Sequence, residues 1–172
     1  MSNITPSLAC WLLLTFFLAG PALAQSCRDS IPATTPGGNF ILHDDGTVTH
    51  GTTGLMWMRC SLGQSWSDEA CNGAAGGFTW GEALRAAVGH QFAGYSDWRL
   101  PNKNELEALV EESCSLPAIN AAIFPATPTA YFWTSSPYAG LAYAAWSVDF
   151  GFGAVNASVK SGSIHLRLVR EP

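Results

Sequence analysis

Charged residues are scarce in this chain: they make up 12% of its 172 residues, about half of the roughly 25% found in ordinary globular domains. Only 8 residues are lysine or arginine, they are scattered, and the formal net charge is −5. Nucleic-acid binding requires a clustered basic surface, so the composition argues against a nucleic-acid partner. For the same reason it disfavours binding to an anionic membrane surface.

Long apolar runs are also missing, apart from residues 8–19 near the start. That run is too short to span a bilayer, which needs roughly 20 residues, and it leads to the small-residue sequence Ala22-Leu23-Ala24. This arrangement is typical of a signal peptide, although no lysine or arginine precedes the run. We therefore predict that residues 1–24 are removed, together with Cys10. The mature chain is then exported to the periplasm or the cell surface, without a membrane-spanning segment.

Cys-x-x-Cys pairs, which are typical of zinc sites, are absent. Beyond residue 24 the chain has Cys27, Cys60, Cys71 and Cys114. An even number of cysteines in an exported chain indicates two disulfides, for which three pairings are possible. We favour Cys60–Cys71, which closes a short loop, and Cys27–Cys114, which ties an N-terminal arm to the end of a helix. Zinc binding is the alternative.

Recognisable catalytic motifs are missing as well. The chain has no Gly-x-Ser-x-Gly sequence, no phosphate-binding glycine-rich loop, and 4 histidines that belong to no motif. The neighbours Glu111 and Glu112 lie at a predicted helix end, where carboxylates usually face solvent. Asp44-Asp45-Gly46 lacks the remainder of a calcium loop, so we predict a turn there and calcium has no motif in its support. These absences favour a non-enzymatic protein without a metal ion or other cofactor.

Turn signals divide the remaining chain into an N-terminal arm, residues 25–38, and one domain, residues 39–172. Asp45-Gly46 separates two short apolar strands and is a strong hairpin signal. A third strand is predicted over residues 55–58. The glycine-rich stretch 61–78 is predicted to be a loop closed by the short disulfide.

Two amphipathic helices are predicted next, followed by a strand-rich end. A capping box begins the first helix at residue 79, and its apolar face includes Val88. The second helix is predicted over residues 103–113. Strands are predicted over 132–135, 143–150, 154–159 and 164–169. Apolar and polar residues alternate over 146–150, which predicts a strand with one buried face.

The segment 94–106 organises the chain, because it leads from an extended stretch directly into the second helix. Pro101 keeps the preceding residues extended, and Asn102 with Glu105 forms a variant of the capping box. We expect a structural corner made of Asp97, Trp98, Arg99, Pro101, Asn102 and Glu105. Arg99 should be covered and should pair with Asp97, Glu105 or Asp149. Loss of one partner of such a buried pair costs about 3–5 kcal/mol.

One run within this corner is a recognisable signature: Asp97-Trp98-Arg99-Leu100-Pro101, followed after three residues by Glu105-Leu106. It resembles the signature of the Lcl C-terminal domain family, named after the end domain of a collagen-like bacterial adhesin. The segments 53–57, 59–63, 132–136 and 169–170 agree with the resemblance, which covers roughly residues 40–170. The resemblance implies an α+β, C-type-lectin-like fold, with two short helices packed on small twisted antiparallel sheets and stapled by disulfides.

The same corner is similar to that of formylglycine-generating enzymes, which use a cysteine pair in their C-terminal part. Here the last cysteine is Cys114, which argues against that activity. Calcium-dependent C-type lectins use Glu-Pro-Asn or Gln-Pro-Asp and Trp-Asn-Asp triplets, which are absent here; the nearest match is Trp146-Ser147-Val148-Asp149. A diverged enzyme of the formylglycine-generating type and a structural module of a surface assembly remain alternative functions.

Aromatic residues crowd the region 131–152, and strand alternation predicts that about half of them are buried. Tyr138 and Tyr143, in a loop flanked by proline and glycine, should be exposed. The candidate binding residues are Tyr138, Tyr143, Trp133, Trp146 and Asp149. Exposed aromatic residues over a rigid sheet suit the binding of sugars or protein surfaces. With the family resemblance, they predict an adhesion or carbohydrate-binding module whose partner is an extracellular glycan or an envelope protein.

Overall fold

The computed structural model describes residues 25–171. The predicted signal peptide therefore lies outside the described residues, as does Pro172. Within residues 25–171, no helix has the length and apolar character needed to cross a bilayer. The regular elements are β1 (Ser26–Cys27), a 3-10 helix (Gly37–Asn39), β2 (Phe40–Leu42), β3 (Thr47–His50), β4 (Met56–Met58), β5 (Ser65–Ser67), β6 (Ala70–Asn72), α1 (Trp80–Ala87), α2 (Lys103–Glu107), β7 (Cys114–Ser115), β8 (Tyr131–Pro137), β9 (Ala144–Asp149), β10 (Ala154–Val159) and β11 (Val169–Arg170).

A four-stranded antiparallel sheet has the strand order β11-β4-β3-β2. β2 and β3 form the predicted hairpin, with Ile41 opposite Thr49. The turn requires glycine at position 46, because φ there is +84° and a Cβ atom would lie 2.4 Å from Cγ of Trp66. The hairpin and the third strand predicted from the sequence are confirmed.

A three-stranded antiparallel sheet has the order β10-β9-β8, and its three strands are confirmed with small shifts in their ends. The prediction that only one face of β9 is buried is wrong, because β9 is the central strand and both of its faces are covered. Ser147, on the face predicted to be polar, is fully buried and lies 2.8 Å from the hydroxyl of Ser158. The predicted strand 164–169 is wrong except at its end: Ile164 and His165 make only isolated bridges, and Val169 begins β11.

The first helix begins at the predicted capping box. Thr79 Oγ1 accepts a hydrogen bond from Glu82 N, and Thr79 N donates to the Glu82 carboxylate at 2.8 Å. Ala83 and Ala87 form the buried face of α1. Val88 is 82% exposed, contrary to the prediction, because α1 ends at Ala87 and the chain turns away there.

The second helix is shorter than predicted, since α2 ends at Glu107 rather than near residue 113. Beyond it, Leu109 N donates to Leu106 O, only three residues back, and the chain tightens into a turn. This turn directs Glu111 inward, where it is 4% exposed. The expectation that both acidic neighbours face solvent is therefore wrong for Glu111, whereas Glu112 is exposed.

Two apolar clusters lie on opposite faces of the three-stranded sheet. One cluster contains Leu106 of α2 together with Phe132 of β8. The other contains Ala83 of α1 together with Trp133 of β8. Adjacent residues of a strand point to opposite faces, so the sheet lies between the two helices. The predicted α+β fold, with short helices packed on small antiparallel sheets, is confirmed.

Both predicted disulfides are present. Cys27–Cys114 joins β1 to β7, which pair as a two-stranded ribbon. Cys60–Cys71 closes the predicted loop over a sequence separation of 11 residues, and this loop contains the β5–β6 hairpin. Because every cysteine of the described residues is in a disulfide, the alternative of zinc coordination by these thiols is wrong.

The N-terminal arm is held by Glu111 as well as by its disulfide. The Glu111 carboxylate accepts hydrogen bonds from Thr35 N and Oγ1 at 2.8 and 2.9 Å, from Thr34 N at 3.0 Å, and from Ser113 Oγ at 2.7 Å. Burial alone would raise the pKa of Glu111, but these hydrogen bonds outweigh burial and lower the pKa to about 2. The Glu111 carboxylate is therefore ionised at neutral pH, and in this form it holds the N-terminal arm.

Candidate binding surface

The corner predicted around Pro101 joins an extended segment to the start of α2. Asn102 Oδ1 accepts a hydrogen bond from Glu105 N at 3.0 Å, and Asn102 N donates to Glu105 Oε2 at 2.7 Å. The extended segment pairs with β11: Arg99 N donates to Val169 O at 2.8 Å, and Val169 N donates to Arg99 O at 3.0 Å. The corner thus ties residues 97–105 to the C-terminal segment.

The guanidinium of Arg99 pairs with Glu105 through two hydrogen bonds of 2.8 and 2.9 Å, and with Glu171 at 2.5 Å. Of the three acceptors predicted, Glu105 is a partner, and Asp97 and Asp149 are not. The hydrogen bonds from the guanidinium to Glu105 raise the pKa of Arg99. The Arg99 side chain is 36% exposed, so the expectation of a covered guanidinium is wrong. Solvent screens the pair and lowers its contribution to stability.

Asp97 instead pairs with Arg170 of β11, at 2.9 Å from Nε and 3.1 Å from Nη2. This interaction lowers the pKa of Asp97. The Arg170 guanidinium also lies 4.1 Å from the centroid of the Tyr95 ring. Trp98 is 3% exposed, and its Nε1 donates to Phe92 O at 3.1 Å. The charged groups of the corner satisfy one another, which supports a structural role for them.

A small aromatic and polar surface lies where β9 meets the start of α2; we call it the Trp146 surface. Its residues are Trp146, Tyr138, Lys103, Asn104 and Ser136. Trp146 is half-buried, and the Tyr138 ring packs edge-on against it, with centroids 4.9 Å apart. Lys103 Nζ lies 5.6 Å from the indole centroid. Trp146, Lys103, Asn104 and Ser136 line an open cavity of about 260 Å³.

The five candidate binding residues differ in their accessibility to a ligand. Tyr143 is exposed as predicted, at 59%, in the loop that follows Tyr138. Tyr138, which was also predicted to be exposed, is half-buried because its ring packs against Trp146. Trp133 is fully buried, and its Nε1 donates to a backbone carbonyl at 2.8 Å. Asp149 is 9% exposed, and its Oδ1 accepts a hydrogen bond from a turn amide at 2.7 Å. Trp133 and Asp149 therefore contribute no accessible surface for a ligand.

One buried charge was missed by the sequence analysis. Arg167 is fully buried, and it donates to Met58 O at 2.9 Å, to Thr127 Oγ1 at 2.7 Å and to Arg59 O. No carboxylate forms an ion pair with Arg167 among residues 25–171. Burial lowers the pKa of Arg167 to about 9. The guanidinium also lies 4.7 Å from the centroid of the Phe124 ring.

Arg167 cross-links segments that are distant in sequence, since its acceptors lie 40 to 109 residues away. A single arginine between two leucines is compatible with a half-exposed strand, so no local signal predicted its burial. Its guanidinium is enclosed by backbone carbonyls, a threonine hydroxyl and a ring. This arrangement positions the chain around residues 58–59.

Metal ligands do not converge anywhere in the part of the chain that the structure describes. No group of three or more histidine, cysteine, aspartate or glutamate side chains there is placed to hold a metal ion. The prediction that the protein works without a metal ion remains a prediction.

The sequence matches a known protein family. The sequence model of the Lcl C-terminal domain matches residues 46–170, which is well over half of the 172 residues. The matched region includes the hairpin turn at Gly46, both helices, the Trp146 surface and β11. No curated protein matches the chain.

Proposed function

Because the chain belongs to the Lcl C-terminal domain family, we propose that it is an exported, non-enzymatic binding module that recognises a polysaccharide through the Trp146 surface. The observation that carries this proposal is the half-buried indole of Trp146, which is set in a central strand and open to a cavity. The C–H faces of a sugar ring pack well against an aromatic face, which carries partial negative charge. An aromatic ring on a rigid strand meets such a ligand at little entropic cost.

Polar groups around the indole suit sugar hydroxyls. Asn102 also lines this cavity; its Oδ1 accepts the hydrogen bond of the helix cap, and its Nδ2 makes no hydrogen bond within residues 25–171. The side chain of Asn104 makes no hydrogen bond within residues 25–171 and is exposed. An amide both donates and accepts hydrogen bonds, as a hydroxyl-rich ligand requires. These two side chains would orient a sugar that stacks on Trp146.

The charge of the surface favours a neutral glycan over a sulfated one. Lys103 Nζ, the cation nearest to the indole, is paired with Glu107 at 2.8 Å. The chain as a whole carries a formal charge of −5. A polyanion would therefore meet few unpaired cations at this surface, whereas a neutral chain of sugars would not be repelled.

The disulfides weigh against the alternative of a formylglycine-generating enzyme. That chemistry uses a pair of cysteines, and Cys27, Cys60, Cys71 and Cys114 are all disulfide-bonded. Two disulfides also agree with an oxidising compartment. Together these observations support export and weigh against that enzymatic activity.

A glycan array probed with the purified mature domain tests the proposal. We expect retention on neutral polysaccharides and at least about tenfold weaker binding by Trp146→Ala, which corresponds to about 1.4 kcal/mol. Since Trp146 is half-buried, Asn104→Ala provides a second variant at an exposed position, which should weaken binding without changing the melting temperature. Phe152→Ala is the matched aromatic control, because Phe152 is 70% exposed and lies outside the surface.

Two outcomes would overturn the proposal. The first is that no glycan on the array retains the domain, in which case an envelope protein becomes the better partner. The second is that both surface variants bind a retained glycan as tightly as the Phe152→Ala control does. That result would place the glycan elsewhere on the domain.

A further inference from the structure

A second cavity, of about 410 Å³, lies between the β2–β3 hairpin and the disulfide-bonded β5–β6 hairpin. Its size falls within the roughly 300–1,000 Å³ typical of small-molecule sites. It is lined mainly by Leu42, His43, Asp44, Arg59, Trp66 and Glu69. The indole Nε1 of Trp66 donates to Asp44 O at 3.2 Å, so the two hairpins are joined at the cavity wall. This cavity is separate from the Trp146 surface.

Arg59 is held rigidly in the wall of this cavity. It is 8% exposed, its Nε donates to Ile123 O at 2.8 Å, and its Nη2 donates to Ala122 O at 3.1 Å. The guanidinium carbon lies 4.4 Å from the centroid of the Trp66 ring. Nη1 makes no hydrogen bond within the described residues. A fixed guanidinium therefore offers the two N–H donors of Nη1 to a ligand in the cavity.

Negative charges line the same cavity without neutralising this guanidinium. Asp44 and Glu69 are exposed, and neither has an oxygen within 4.0 Å of a nitrogen of Arg59 in the described part of the chain. Burial lowers the pKa of Arg59, and the charge of Glu69 offsets part of that effect. The cavity therefore has a positive wall and a negative wall that do not touch.

The backbone at Glu69 is unusual for a glutamate. Asp68 and Glu69 form the two-residue connection between β5 and β6, and their φ angles are +52° and +58°. A two-residue hairpin turn with both φ angles positive strongly prefers glycine at the second position. A side chain there costs conformational energy. The position consequently carries a carboxylate that the turn itself does not require.

We propose that this cavity binds a small zwitterion of the α-amino-acid type. The ligand carboxylate accepts a hydrogen bond from Arg59 Nη1, and the ligand ammonium faces Glu69 and Asp44. Opposite charges of a zwitterion lie a few atoms apart, so one molecule can meet both walls. Leu42 and the edge of Trp66 supply an apolar contact for the ligand side chain.

Simpler ligands fit the cavity less well. A plain carboxylate or phosphate would pair with Arg59 but leave Asp44 and Glu69 unpaired, and a plain cation would pair with these carboxylates but leave Arg59 unpaired. Charges brought into such a partly enclosed site must be paired to be retained. A zwitterion pairs both signs at once, which neither a simple anion nor a simple cation does.

Titration calorimetry of the mature domain with free amino acids tests this proposal, using N-acetyl amino acids and amino-acid amides as blocked probes. We expect at least one free amino acid to bind, and each of its two blocked forms to bind at least about tenfold more weakly. If no free amino acid binds, or if acetate or a blocked form binds as tightly as the free amino acid, the zwitterion proposal is wrong.

Variants in the turn between β5 and β6 distinguish a loss of ligand affinity from a loss of stability. Glu69→Gly places glycine at a position with positive φ, so the melting temperature should stay the same or rise while amino-acid affinity falls about tenfold. Asp68→Gly is the matched control, because it relaxes the same turn but leaves the cavity lining intact. Arg59→Lys should also lose affinity, since it removes the planar guanidinium. Equal affinity for Glu69→Gly and Asp68→Gly would refute the assignment of the ammonium to Glu69.

Discussion

Replacement of Glu111 by glutamine should destabilise the domain by about 3 kcal/mol at neutral pH. Both oxygens of the carboxylate accept hydrogen bonds, from N–H and O–H groups of Thr34, Thr35 and Ser113. Glutamine is close in shape, but it replaces one acceptor oxygen with an NH₂ group that faces donors. Two hydrogen bonds to a charged acceptor are lost, each contributing about 1.5 kcal/mol.

The lowered pKa of Glu111, which these hydrogen bonds cause, corresponds to a similar magnitude. Its value falls from 4.5 to about 2 on folding, and each pKa unit corresponds to about 1.4 kcal/mol. The ionised carboxylate therefore contributes about 3 kcal/mol to the free energy of unfolding. For a domain of this size, that loss lowers the melting temperature by roughly 6–12 °C.

The pH dependence has a defined sign. Because the pKa of Glu111 is lower in the folded state, its contribution is present above about pH 4.5 and is lost as the pH falls towards 2. Thermal melts of wild type and Glu111→Gln should therefore differ most at neutral pH and converge near pH 2. Hydrogen exchange should also show faster exchange at the amides of Thr34 and Thr35 in the variant.

Glu112→Gln is the matched control, because it changes the adjacent, exposed carboxylate. Exposed substitutions usually change stability by less than about 0.5 kcal/mol. If Glu111→Gln and Glu112→Gln have the same melting temperature at neutral pH, Glu111 does not hold the arm and the argument from its hydrogen bonds is wrong. If the difference in melting temperature between wild type and Glu111→Gln is unchanged at pH 2, the lowered pKa of Glu111 is refuted but its hydrogen bonds to the arm are not.

Three further predictions concern the corner, the hairpin turn and the disulfides. Arg99→Ala should lower the free energy of unfolding by about 1–2 kcal/mol, because it removes the half-exposed ion pair with Glu105. A melting temperature equal to that of the exposed control Arg85→Ala would contradict this. Gly46→Ala should lower the free energy of unfolding by about 2–4 kcal/mol, because φ is positive there and the added methyl group would clash with Trp66. The control is Gly73→Ala, whose φ of +85° is similar but whose surroundings are open; Gly46→Ala should melt at a clearly lower temperature than this control. Non-reducing peptide mapping should recover both disulfides, and thiol titration of the mature form should find no free thiol; two free thiols would revive the enzymatic alternative.

The elements that the sequence predicted correctly depend on residues close together in the chain. The hairpin at Gly46 follows from a turn dipeptide between two apolar stretches. The starts of both helices follow from capping residues three positions apart. The α+β class and the family follow from the signature around Pro101. In the turn and the helix caps the interacting atoms belong to residues close together in the chain, so the local pattern is sufficient.

The candidate binding residues were predicted less well. Aromatic density identified the correct region, and Tyr138 does lie against Trp146. The same density could not separate Trp146, which borders a cavity, from Trp133, which is fully buried. The difference depends on which helix covers which face of the three-stranded sheet. The second cavity had no local signal at all, because its walls come from two hairpins, Arg59 and Ala122.

Sequence alone determined the helix starts, the hairpin and the family. Tertiary structure decided where α2 ends, how deeply Glu111 and Arg167 are buried, and which carboxylate pairs with Arg99. The physical reason is the sequence separation of the partners. Glu111 meets Thr34 and Thr35 across 76 to 77 residues, and Arg167 meets Met58 O across 109 residues. Such contacts exist only once the chain has folded, and they override the local preference of a charged residue for solvent.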